Sequence, residues 1–220
     1  MGKLIAFGCS TTYGQSLSDI HPHNKQPSKL AWPQILGDLT NMPVLNMAKM
    51  GSSNKEIAHY ALNYNYSIDD IAVICWTYKD RFCIVRKDDI LRLGVWHTDP
   101  KFPNFNPNKK ENQQVSKQFY EYVYDDYDML LNAHCCIHYT DLFLKSKKIK
   151  CYHLMAHNYL NKEFEFFNTS ILAIDYEKLY NENPLALDNM HSGENTHKLL
   201  ATEIFNQTKG LTIEYDTNTV

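Results

Sequence analysis

Long apolar runs are missing from this 220-residue chain. None approaches the ~18–20 residues that a membrane-spanning helix needs, so no transmembrane segment is expected. The first residues, Met1-Gly2-Lys3-Leu4-Ile5-Ala6-Phe7-Gly8, carry one positive charge and too short an apolar stretch for a secretory signal. They read as a buried first strand, and a cytoplasmic location is the expectation (virion or host cytoplasm for a viral product). Ala6 stands where a myristoylation signal has Ser or Thr. Strong charge of either sign is also lacking. The formal net charge is -3, which gives neither nucleic acid nor an anionic membrane an electrostatic handle. No internal repeat or low-complexity tract occurs. A Gly-Lys-Ser/Thr triplet is absent, which excludes a Walker-type phosphate loop. The six cysteines, at 9, 75, 83, 135, 136 and 151, do not form a disulfide framework. Two lie inside apolar runs and two are adjacent, as reduced, buried thiols do. The abundance of Asn, Lys and Tyr is usual for products of AT-rich genomes, viral ones among them, and carries no chemistry.

What is present is an alternation of strand and helix patterns, which predicts a parallel sheet covered on both faces. Lys3–Phe7 reads as strand one. Trp32, Ile35, Leu36 and Leu39 recur at helical spacing behind Pro33. Pro43–Asn46 reads as strand two. Ser53 and Glu56 form a capping box for a helix over 54–64, with Ile57, Tyr60, Ala61 and Tyr64 inward. Ile71–Trp76 is an unbroken apolar run, as central parallel strands are. Residues 81–95 predict a hairpin and 99–110 a long loop. One long helix, or two in line, is expected over 116–147, with Lys145, Lys147 and Lys148 at its dipole-favoured end. Cys151–Ala156 and Ile171–Ile174 complete five strands. A last helix presents Leu199, Leu200, Ile204 and Phe205 inward and stops at Gly210. The expected architecture is a three-layer α/β/α, flavodoxin-like, doubly wound parallel sheet of about five strands. One domain spans 1–212, with an insertion at about 82–114, and a loose tail follows over 213–220. Ligands of such sheets bind beyond the carboxyl ends of the strands.

Candidate chemistry converges on that end. Ser10, in the turn after strand one, can sit exposed above the sheet and open a helix, its own N–H aimed at whatever the hydroxyl attacks. A serine hydroxyl needs a base. Asp188 and His191, three apart before the last helix, can share one turn, the carboxylate holding the imidazole in the proton-accepting tautomer. Taken singly, Ser10 is an ordinary helix cap, Asp188 a turn residue and Gly51 a turn glycine.

Four short blocks resemble the SGNH/GDSL hydrolases. They are Gly8-Cys9-Ser10 with Thr12-Tyr13-Gly14, Asn46 to Asn54 around Gly51, Asp188-Asn189-Met190-His191, and Trp32-Pro33 before the first long helix. The resemblance implies Ser10 as nucleophile, Asp188 and His191 as its partners, and the Gly51 N–H in the oxyanion hole. It implies an ester substrate, with a small acyl group on a carbohydrate as the particular expectation, and no cofactor. Two departures stand out. Cys9 replaces the family's aspartate, and Trp76-Thr77-Tyr78-Lys79-Asp80-Arg81 lacks the asparagine that donates to the oxyanion. Thr77, the Tyr78 backbone and Arg81 are the candidate substitutes; loss of one such donor costs on the order of 10²–10³ in rate.

Competing readings are a non-catalytic binding or viral accessory protein on the same fold, and an FMN protein with its phosphate among Ser10, Thr11, Thr12, Gly14 and Ser16. Cys9 as a phosphatase nucleophile fails, because Gln15 stands where the arginine is required. His134 and His138 share a helix face as zinc ligands do, but packing is the simpler expectation. Tyr120, Tyr122, Tyr124 and Tyr127 read as packing residues, Trp96, His97, Phe102 and Phe105 as substrate-contacting residues of the insertion, and His197 as a surface residue.

Overall fold

The computed structural model describes residues 2–20, 26–97, 110–157, 171–209 and 211. Its frame is a parallel sheet of β1 (Leu4–Phe7), β2 (Val44–Asn46), β3 (Ile71–Trp76) and β6 (Lys150–Met155), in the order β2-β1-β3-β6. The doubly wound plan holds, with one strand fewer than expected. Where a fifth strand over 171–174 would lie, only a single parallel bridge joins Ile171 to His153, with the Leu172 N–H donating to the His153 carbonyl.

Both faces of the sheet are covered, and the two central strands show it in their alternation. Leu4, Ala6, Ile71, Val73 and Cys75 pack on one side with α2 (Trp32–Thr40) and α7 (Glu194–Gln207). Ile5, Phe7, Ala72, Ile74 and Trp76 pack on the other with α3 (Asn54–Asn63) and α5 (Asp126–Ser146). Every residue of β1 and β3 is buried. A strand sandwiched this way has no solvent face, hence no polar alternation. Leu39 and Leu199, expected inside, are 44% and 43% exposed; each sits at the margin of its helix's apolar stripe.

The hairpin forms as expected, β4 (Phe82–Val85) against β5 (Ile90–Leu93). It packs on α4 (Lys110–Tyr122), with Phe82 stacked on Phe119 at 5.0 Å. The expected long helix is two, because Asp125 takes extended geometry and caps α5, accepting from the N–H groups of Tyr127 and Asp128. Tyr120 anchors α4 by donating to the Asp80 and Leu93 carbonyls, whereas Tyr122 and Tyr127 are exposed rather than packed. The capping box on α3 is half formed. Ser53 accepts from the Glu56 N–H, but the Glu56 carboxylate turns away to Arg92 of the hairpin. The last helix ends at Gln207; Gly210, Phe102, Phe105, most of the 99–110 loop and the 214–220 tail lie outside the described residues. All six cysteines are free thiols. No helix among the described residues is long and apolar enough to cross a membrane.

Candidate active site

The loops at the carboxyl end of the sheet line a cavity of about 270 Å³. That is at the small end of the ~300–1,000 Å³ usual for small-molecule sites. Ser10 opens a one-turn helix, α1 (Ser10–Tyr13), directly after β1. It is not exposed as expected. Only 5% of it is accessible, on the cavity wall. Asn46 at the end of β2 ties the next loop to this turn, donating to the Thr12 carbonyl at 2.7 Å while accepting from the Ala48 N–H. The loop then brings Gly51 to the wall in left-handed backbone, φ 75°. Glycine, with no Cβ, adopts that at no steric cost.

The acid–base pair is built by one tight turn. Asn189 takes φ 55°, a conformation its side chain tolerates. This lets Asp188 Oδ1 accept from the Met190 and His191 N–H groups, each at 3.0 Å. Asp188 Oδ2 meets His191 Nδ1 at 2.6 Å and accepts from the Ser16 hydroxyl at 2.7 Å. Burial works against ionisation of Asp188, but these four hydrogen bonds outweigh it and hold the carboxyl down at about 2. Ser16 was not legible as a partner; 172 residues separate it from Asp188 and no motif joins them. Behind the turn, Tyr176 bonds Ser192 and Thr11 through its hydroxyl, linking the His191 loop to α1.

His191 and Ser10 line the same cavity. The Ser10 hydroxyl donates to Cys9 Sγ at 3.9 Å, and no hydrogen bond joins it to His191. Burial opposes ionisation of the Cys9 thiol. The Arg81 charge and hydrogen bonds from Thr77, Thr11 and Ser10 override it and lower the thiol below its ordinary value. His197 is a correction. It is 1% exposed, accepts from the Trp32 N–H at 3.1 Å, and is held down at about 4 chiefly by burial, against the pull of its hydrogen bond to the Ser192 backbone.

The three candidate substitutes after β3 separate. Thr77 is fully buried, its N–H is taken by Asn54 Oδ1 at 2.8 Å, and it does not reach the wall. Asn54 also donates to the Thr77 and Tyr78 carbonyls, so its amide anchors this loop. The Tyr78 and Arg81 side chains do line the cavity. Trp96, from the insertion, lines it too, whereas His97 turns to Ser116. Among the described residues no three metal-ligating side chains converge.

Trp96 reaches the cavity by folding over Gly94, where an added Cβ would lie 2.3 Å from the indole. Gly94→Ala must displace the ring. A stability loss of about 1–3 kcal/mol is expected from overpacking, read as a lower urea midpoint, with altered tryptophan emission.

No protein-family model matches the sequence, and no curated protein matches it. Solved structures do. The chain is similar to a protein assigned to the lipolytic G-D-S-L family from Desulfitobacterium hafniense, with TM-score 0.50 and 13% identity over 94% of this chain and 99% of that one. It is similar to the psychrotrophic esterase EstA from Pseudoalteromonas sp., with TM-score 0.50 and 9% identity over 96% and 98% of the two chains. An acetyl xylan esterase from Butyrivibrio proteoclasticus gives TM-score 0.51 and 11% identity over 96% of this chain and 64% of that one. These likenesses show that the fold is the three-layer α/β/α fold of SGNH/GDSL-type proteins.

Proposed function

We propose that the protein is a serine esterase acting on small acyl groups. The observation that carries this reading is the His191–Asp188 pair, its ring fixed at 2.6 Å by a carboxylate with three other donors, in one cavity with Ser10. An ionised Asp188 keeps the imidazole proton on Nδ1, leaving Nε2 as the base. Ser10 then turns from Cys9 toward Nε2, a contact that such sites tighten on binding substrate. The Ser10 oxygen attacks the acyl carbon and its proton passes to His191. The N–H groups of Ser10 and Gly51 receive the oxyanion. His191 protonates the departing alcohol, and water, deprotonated by His191, releases the acyl group.

The small cavity fits a short acyl chain, and the Tyr78, Trp96 and Tyr180 walls suit a carbohydrate alcohol. The likeness to an acetyl xylan esterase points the same way. An FMN site draws little support, because α1 is a single turn and the Asp188–His191 pair would have no task.

A second reading, a binding protein on this fold, is favoured by one observation: the Ser10 hydroxyl is bonded to Cys9 and not to His191. One experiment separates the two. A fluorophosphonate probe is expected to label the wild-type chain once, at Ser10 by peptide mass, and to leave Ser10→Ala unlabelled. An unlabelled wild type that also fails to cleave p-nitrophenyl acetate would sink the esterase reading.

A further inference from the structure

The guanidinium of Arg81 lies over two aromatic rings, 4.9 Å from the Tyr78 centroid and 4.9 Å from that of Trp96. Two aromatic contacts of this kind attract the cation and hold the planar fork in place. Its Nη1 is buried and has no hydrogen-bond partner among the described residues. No described carboxylate stands within ion-pair distance either. Among the described residues the other two arginines do face carboxylates, Arg92 hydrogen-bonded to Glu56 and Arg86 3.7 Å from Asp89. Asp80, the chain neighbour, feels the Arg81 charge without pairing to it. A buried donor without an acceptor costs about 1–3 kcal/mol, more when charged, so a small turn of the Arg81 fork, which already lines the cavity wall, onto an acceptor held there would recover a large term.

We propose that Arg81 is a carboxylate-recognition residue and that the ester taken by this cavity carries one carboxylate close to the scissile bond. This rests on the esterase reading of the same cavity. The anion should be a monoanion. Arg81 is the one fixed cation among the described residues lining the wall, and Glu177 on the α6 (Tyr176–Asn181) side opposes a second negative charge. His157, tilted against Tyr78, adds none: burial, and then the Arg81 charge, hold it down at about 4. A phosphate dianion would lack a second partner, whereas a carboxylate matches a single planar fork.

The test compares matched esters. 4-Acetoxybenzoate against its methyl ester places the carboxylate on the alcohol side. Phenyl hydrogen adipate against phenyl methyl adipate places it on the acyl side. In at least one pair the wild type should prefer the anion by a factor on the order of 10–10² in kcat/KM. Arg81→Gln should bring that ratio toward one, and Arg81→Lys should keep part of it. Equal rates for anionic and neutral esters in both pairs overturn the proposal and leave the esterase intact. An Arg81→Gln defect equal for both members of a pair also overturns it, since that marks an oxyanion donor or a packing role. Should the wild type cleave none of the four, the esterase reading is judged by the fluorophosphonate and p-nitrophenyl acetate test, and calorimetric titration with benzoate decides the subsite. Binding to Ser10→Ala but not to Ser10→Ala/Arg81→Gln upholds the subsite; no binding to either overturns it.

Discussion

Asp188→Asn is expected to abolish most of the hydrolysis while leaving the fold in place. The side chains are isosteric, so Oδ1 can still accept from the Met190 and His191 N–H groups. The change falls on the other atom. An amide nitrogen in place of Oδ2 faces Ser16, whose hydroxyl can rotate to accept, and His191 Nδ1, which must then accept as well. The imidazole proton moves to Nε2, and the base facing Ser10 is lost. The equivalent change in the chymotrypsin-type serine-protease triad lowers kcat by about 10⁴. A loss on the order of 10³–10⁴ is expected here, measured with p-nitrophenyl acetate at saturating and sub-saturating concentration. A fall below tenfold would remove Asp188 from the mechanism.

The same variant carries a pH signature. Asp188 is held down at about 2 in the folded chain, below its unfolded value of about 3.9. Its contribution to stability is therefore complete above about pH 4 and is lost as pH falls toward 2. A shift of that size corresponds to about 2–3 kcal/mol. Between pH 4 and pH 2 the wild type should lose this increment and Asp188→Asn should not, so their urea midpoints should draw together on acidification.

Much of this was legible because the signals are local. The apolar run Ile71–Trp76, the Ser53 cap and the period of α2 each follow from near neighbours, and each element forms where its pattern says. The Asp188–His191 contact is local as well, one turn with Asn189 at positive φ. What the sequence hid depends on distance along the chain. Ser16 on Asp188, Trp32 on His197 and Tyr176 on Ser192 are set by how loops meet above the sheet, and no spacing announces them. His197 reads as a surface residue of the last helix, yet it stands three, four and seven places before Leu200, Ala201 and Ile204, on the buried face where α2 packs. Thr77 and Arg81 stood as equals in the sequence. Asn54 separates them by holding Thr77 in the core and leaving Arg81 at the wall.

Arg92→Met is expected to produce the largest stability loss among single changes away from the cavity wall. Glu56 has no accessible side-chain surface, and its two oxygens are held by Arg92 Nε at 2.7 Å and Nη2 at 2.5 Å. Removing the guanidinium leaves a buried carboxylate without its counter-charge, a defect that costs about 3–5 kcal/mol when both partners are enclosed. The Arg92 side chain is 34% exposed, so water can reach part of the gap and about 2–4 kcal/mol is the better expectation. For a chain of this size that lowers Tm by roughly 5–15 °C, measurable by scanning calorimetry. The Ser53 cap should survive, because it uses the Glu56 backbone. If the orphaned charge is the cause, Glu56→Leu/Arg92→Met should regain most of the loss, since an apolar pair can replace a buried ion pair at little cost. A double variant as unstable as Arg92→Met alone would place the effect in packing between α3 and the hairpin instead. The pair joins the helix that follows the Gly51 loop to the hairpin that carries Trp96, so its loss should also blur the tryptophan side of the cavity before the chain unfolds.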